Sequence, residues 1–257
     1  MKECKLYKGE VVITFNDEGK KHLYLVNDEK NNIHDSVADG VTSILSVINK
    51  PALIPWAINQ MAKNLEENLK TGKVYDELEK EKLIETAKKI YKDKTKDAAD
   101  IGKIVHKWCE DYIKGLKPER PINEFANNCI QAFLEFEERN NIKFKLSERI
   151  VYSRKYNYAG TLDLTAIVND KNYVCDFKTS SGIYPESHLQ TAAYGMALKE
   201  EYPSIKIDGS IIIRLPKEGK LETCIISSEE QTENFKSFLG ALVLYRGLKV
   251  LNLQLKK

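Results

Sequence analysis

Ala159-Gly-Thr-Leu-Asp163-Leu-Thr-Ala-Ile-Val168 and Asn172-Tyr-Val-Cys-Asp176-Phe-Lys178-Thr179 are β-rich runs separated by the turn signal Asn169-Asp170, and their pairing decides the fold. Successive strand residues point to opposite faces, so Asp176 and Lys178 project together while Cys175 and Phe177 point away. An antiparallel pair joined by so tight a turn brings Asp163 towards Asp176. Two carboxylates a few ångströms apart repel, and a divalent cation offsets that repulsion directly. Hard oxygen ligands with an open coordination position suit Mg2+ or Mn2+. Taken alone, an Asp-x-Lys pair is more often a solvated sheet edge, and a different register would keep the two aspartates apart.

Working outward, Ser147–Ser153 is another short strand. Downstream, residues 185–200 read as a helix with Leu189, Ala193, Met196 and Ala197 on its buried stripe. Gln190 and Tyr194, at i and i+4, share an adjoining face. An amide and a phenol at a cleft edge can orient a phosphate or a water, and the Tyr194 ring offers a stacking surface. Strands follow at 209–215 and 222–226. A capping box at Ser227-Ser228-Glu229-Glu230 then opens a helix whose apolar face runs through Phe235, Phe238, Leu242, Tyr245 and Leu248.

Upstream, residues 10–26 read as a hairpin around Asn16-Asp17-Glu18-Gly19. A polar stretch separates it from helices expected at 52–70, 76–98, 100–115 and 122–140. The second of these carries Lys80, Lys82, Lys88, Lys89, Lys92, Lys94 and Lys96, which fit a solvated face or a phosphate-facing patch. On the third, Ile101, Val105, Trp108 and Tyr112 define a core stripe. His106 is rotated off it, between Gly102 one turn before and Glu110 one turn after. A glycine inside a helix costs about 0.5–1 kcal/mol relative to alanine, so close packing or binding is expected there, with His106 a candidate metal ligand. The expected division is an N-terminal hairpin and helical region over 1–99 and an α/β core over 100–257.

The net charge of +2 excludes a uniformly basic nucleic-acid binder, so a DNA-binding surface must be a local patch. The basic residues are mostly lysine, which suits phosphate backbones better than base edges. The five cysteines, at 4, 109, 129, 175 and 224, form no CxxC pair, which argues against a disulfide framework, a zinc ribbon and an iron–sulfur cluster. No apolar run suits a membrane span or a secretion signal, so a cytoplasmic protein is expected.

In order and spacing, GxxxH at Gly102–His106, GTLD at Gly160–Asp163, DFK at Asp176–Lys178 and QxxxY at Gln190–Tyr194 resemble the RecB-like branch of the PD-(D/E)XK nuclease superfamily. The stretches YAGTLDL, DFKTS and HLQTAAY, with Val41–Leu53 and Trp56, look like the phage-encoded exonucleases of that branch and their mitochondrial genome maintenance relative. The resemblance implies a restriction-endonuclease-like core with a central mixed sheet flanked by helices. It also implies that His106, Asp163, Asp176 and the Phe177 carbonyl hold Mg2+ or Mn2+, that Lys178 is the catalytic lysine, and that Gln190 assists. Glu148 and Tyr194 are then supporting residues, Thr179 and Ser180 lie at the substrate, and Glu148 or Glu110 could hold a second metal. The expected activity is a metal-dependent DNA exonuclease acting on single strands with free ends, in phage or mobile-element recombination, repair or processing, with recombination or replication proteins as partners. The alternatives are a structure-specific endonuclease and an inactive DNA-binding module of the same fold. Residues 52–98 are the segment expected to control substrate entry as an arch or lid.

Overall fold

The computed structural model describes residues 2–16 and 23–254. It divides into two compact units: Met1–Ile48 with Val105–Lys257, and Asn49–Ile104. The expected boundary at 99/100 is therefore corrected. The N-terminal strands belong to the larger unit because they are hydrogen-bonded into its sheet, and the intervening helical segment forms the smaller unit.

The larger unit is built on a mixed sheet of nine strands among the described residues. These are β1 (Lys2–Leu6), β2 (Val11–Asn16), β3 (Leu23–Asp28), β4 (Ile33–Gly40), β5 (Ile142–Ser153), β6 (Tyr158–Val168), β7 (Lys171–Lys178), β8 (Gly209–Arg214) and β9 (Glu222–Ser227). Their order is β1-β2-β3-β4-β6-β7-β8-β9, with β5 paired to β6. The expected hairpin is β2–β3, in register from Val11↔Asp28 to Asn16↔Leu23; its turn at Asp17–Gly19 lies outside the described residues. Strands β1 and β4 were not anticipated, because β4 (Ile-His-Asp-Ser-Val-Ala-Asp-Gly) is largely polar. The β6–β7 turn is as expected, with Asn169 at φ 48° and Asp170 at φ 64°, the left-handed pair that a two-residue hairpin requires.

Helices α5 (Pro185–Glu201) and α6 (Ser228–Gln254) cover one face. Ala193, Ala197 and Leu198 of α5 and Phe235, Phe238 and Leu242 of α6 pack with Leu162 and Val174. The α6 capping box is complete: Glu230 N–H donates to Ser227 Oγ, and Ser227 N–H donates to Glu230 Oε2. Leu248 lies outside the buried face. The opposite face takes α4 (Glu124–Arg139), whose Phe133 ring meets Phe177 at 5.5 Å and Phe144 at 6.2 Å. With cover on both faces, β7 is buried from Tyr173 to Phe177, which explains its nearly unbroken apolar run. A third cluster joins Leu6, Val11, Ile13 and Val26 of the N-terminal strands to Ile150, Tyr152 and Ala159.

A short helix, α1 (Val41–Ile44), follows β4. The smaller unit contains α2 (Leu53–Asn68) and most of α3 (Glu77–Ile113). The two helices expected at 76–98 and 100–115 are one, because the Lys-, Glu- and Ala-rich stretch between them has no breaker and Gly102 alone cannot end a helix. Within this unit Lys80 and Lys88 pair with Glu77 and Glu85. No helix of the described residues is long and apolar enough to cross a membrane. All five cysteines are free thiols, three of them buried.

Candidate active site

A strand offers two hydrogen-bonding edges. On β6, β5 occupies one edge from Tyr158 to Val168. The other is shared: β7 pairs with Leu164–Val168, and β4 pairs in parallel with Tyr158 and Ala159. Gly160–Asp163 therefore face a fork between β4 and β7, and the candidate site is built there.

Beyond the last β6–β7 pair, Leu164↔Cys175, the Phe177 N–H donates to Asp163 Oδ2 at 2.8 Å. The carboxylate thus replaces a missing ladder partner. Asp163 Oδ1 lies 3.4 Å from His106 Nδ1 on α3. The register that pairs Ser147 with Leu164 and Arg149 with Leu162 leaves Glu148 opposite Asp163. Glu148 is held at φ 47°, a conformation that costs a non-glycine residue roughly 1–3 kcal/mol. Its carboxylate completes a group with His106 and Asp163 whose donor atoms lie within 4.8 Å of one another. Burial depresses the His106 pKa, but the Asp163 carboxylate more than offsets that and lifts it to about 9. Burial pushes Asp163 up, and His106 outweighs it, holding the carboxyl below its ordinary range.

Asp176 is 1% exposed. Lys178 Nζ stands 2.6 Å from its Oδ2, a buried ion pair that leaves Oδ1 without a hydrogen-bond partner. Burial raises its pKa to about 6; Lys178 opposes the rise and Asp163 adds to it. Burial would lower the Lys178 pKa, but Asp176 and Asp163 together raise it, so the ammonium keeps its proton. Lys178 Nζ donates to Gln190 Oε1 at 3.1 Å, and Gln190 Nε2 donates to the Tyr194 hydroxyl at 3.0 Å. Helix α5 thereby fixes the lysine through a two-residue relay.

The relay explains a glycine. A Cβ at Gly160 would fall 2.5 Å from Tyr194 Cε1 and 3.3 Å from Val41 Cγ2. Tyr194 is 2% exposed, so the expectation that its ring stacks on substrate is corrected: it is packed on β6 and holds Gln190.

Glu110 is held by Lys107 and Lys114 on its own helix and is not part of the His106 group. Asp176, expected beside Asp163 as a ligand, is ion-paired with Lys178, and Glu148 joins His106 and Asp163 in a three-donor group. Asp176 still shares the site electrostatically, since it responds to both Asp163 and His106. Of Phe177, the amide bonds Asp163 and the ring lies edge-on to His106 at 6.1 Å, while its carbonyl belongs to the stretch paired with β8. Thr179 and Ser180 continue from Lys178 into the loop before α5, where Ser180 Oγ donates to the Gly182 carbonyl. Sequence reasoning missed the fork, because β4 joins β6 through only two pairs.

No protein-family model and no curated protein matches this chain. Among solved structures, the crystal structure of SSO0001 aligns with 74% of this chain and 86% of its own at 17% identity, with a TM-score of 0.32. Overlap that shallow carries no argument about fold or function.

Proposed function

We propose that the chain is a divalent-metal-dependent deoxyribonuclease with a PD-(D/E)XK core, an exonuclease that degrades single-stranded DNA from a free end. The observation that carries the reading is the His106–Glu148–Asp163 group, whose donor atoms lie within 4.8 Å of one another, beside the buried Asp176–Lys178 ion pair. The three carboxylates, Glu148, Asp163 and Asp176, outnumber the positive groups beside them, and a divalent cation offsets that excess directly. The carboxylate oxygens suit Mg2+ or Mn2+, and the imidazole nitrogen favours Mn2+ of the two. His106, Asp163, Glu148 and Asp176 are the residues that would hold the ion.

When bound, such a cation supplies a Lewis acid and a water of lowered pKa for phosphodiester hydrolysis. The chain's own residues supply the rest. Lys178, protonated and steered by Gln190, offers positive charge to a phosphate oxygen as negative charge builds there. Tyr194 and Gly160 keep Gln190 at that task. Glu148, on its strained backbone, adds an oxygen donor that Asp163 and His106 alone would lack.

The test is cleavage of end-labelled single- and double-stranded DNA in Mn2+, Mg2+ or EDTA, with Asp176→Ala and Lys178→Ala alongside. Metal-dependent degradation of the single strand, lost in both variants, is the expected result. Activity that survives Asp176→Ala, or no cleavage with either metal, refutes the assignment.

A further inference from the structure

With Tyr194 buried, the aromatic surface at this site lies elsewhere. The loop from Lys178 to α5 carries Tyr184, 41% exposed, immediately before Pro185 at the first turn of the helix. Three contacts knit the loop into one shape. Ser180 Oγ donates to the Gly182 carbonyl at 2.7 Å, Arg214 Nε donates to the Ser180 carbonyl at 3.2 Å, and Ser187 N–H donates to the Tyr184 carbonyl at 3.0 Å. The Tyr184 hydroxyl is itself engaged, 2.8 Å from Ser181 Oγ. A tyrosine displayed for hydrogen bonding would keep its hydroxyl free. Here the hydroxyl holds the ring in place, and what remains for a ligand is the flat face.

The chain leaves β7 at Lys178 and returns to the site at Gln190 on α5, with Tyr184 midway between them. The exposed ring is thus carried by the short segment that joins Lys178 to Gln190, two residues whose side chains are hydrogen-bonded to each other. Of the large exposed aromatics among the described residues, Phe125 lies on α4 and Tyr202 beyond the far end of α5, where it contacts Arg149.

We infer that Tyr184 is a substrate-binding residue whose ring stacks on an unpaired nucleobase next to the phosphate held at Lys178, so that the site selects strands whose bases are free to leave the duplex stack. Resting on the proposed nuclease reading, this supplies its preference for single strands. A preorganised ring is well suited to the role, because base–aromatic stacking is indifferent to base identity and little side-chain freedom is lost on binding.

The experiment uses the full chain and a short single-stranded DNA carrying terminal 2-aminopurine, whose fluorescence is quenched when it stacks. Binding is titrated in EDTA for wild type, Tyr184→Phe and Tyr184→Leu, and cleavage of the unlabelled strand in Mn2+ is scored separately. Wild type and Tyr184→Phe are expected to quench the probe alike. Tyr184→Leu is expected to bind about tenfold or more weakly and to lose the quench, the range that base–aromatic stacking covers. Equal quenching by Tyr184→Leu, or no binding by wild type, overturns the inference. Wild-type cleavage in Mn2+ without stacking would overturn it while leaving the nuclease reading standing; stacking without cleavage would do the reverse.

Discussion

Gly160→Ala isolates the relay behind Lys178. The added methyl would lie 2.5 Å from Tyr194 Cε1, so the ring must retreat by about 1 Å to regain ordinary contact. It cannot retreat freely, because Tyr194 sits in a cluster with Ala193, Ala197, Leu198 and Val41. Overpacking of this kind costs about 1–3 kcal/mol. At about 2–4 °C per kcal/mol for a chain of this size, a fall of several degrees in Tm is expected by calorimetry. The displaced hydroxyl takes Gln190 with it, and Gln190 holds Lys178 Nζ. An error near 1 Å at a reacting group can cost up to about 100-fold in rate, so Mn2+-dependent kcat should fall by at least tenfold while KM changes little. Adding Tyr194→Leu to Gly160→Ala relieves the clash and should recover stability without recovering kcat. A Gly160→Ala protein with wild-type Tm and wild-type kcat would refute both the contact and the relay.

Other outcomes follow from the same geometry. Asp176→Asn removes the charge that faces the buried Lys178 ammonium, so metal-free protein at neutral pH should lose roughly 3–5 kcal/mol, and Mn2+ should no longer raise Tm; an unchanged Mn2+ response would count against Asp176 as a ligand. Asp28 is fully buried and takes paired hydrogen bonds from Arg154 Nε and Nη2 at 2.8 and 2.9 Å. Burial alone would raise its pKa, but the Arg154 bonds outweigh that and lower it below 3.8. Its contribution is therefore complete above the unfolded value of 3.8 and lost as pH falls through the lower folded value. Asp28→Asn should cost about 3–5 kcal/mol at pH 7 and flatten the acid limb of urea-unfolding stability measured against pH; an unaltered acid limb would exclude the pair as its source. Covalently closed single-stranded circles should resist cutting that degrades linear strands of the same sequence, and rapid cutting of circles would rule out entry by a free end.

Much of the site was legible because its signals are local. Alternation placed Asp176 and Lys178 on one strand, and the Asn169-Asp170 turn made β6 and β7 antiparallel neighbours. Helical spacing paired Gln190 with Tyr194, and those two side chains do bond. The same spacing moved His106 off its core stripe, and the structure brings it to Asp163. Spacing misled where a polar face is not an exposed one. Tyr194 shares a helix face with Gln190, yet its ring is buried against a glycine on a strand more than thirty residues away.

What the sequence determined by itself was the set of elements that carry the site's side chains, though not β4 beside them, since hydrophobic period, turn residues and caps act over a few neighbouring residues. It also placed the charged and imidazole groups on those elements. Tertiary structure alone decided how they meet. Parallel pairing of β4 with β6 opens the fork at Gly160–Asp163, and the β5–β6 register sets Glu148 opposite Asp163. The same assembly turns Asp176 towards Lys178, buries Tyr194 and leaves Tyr184 displayed. Register and burial depend on contacts between residues far apart in the chain, and no local period encodes them.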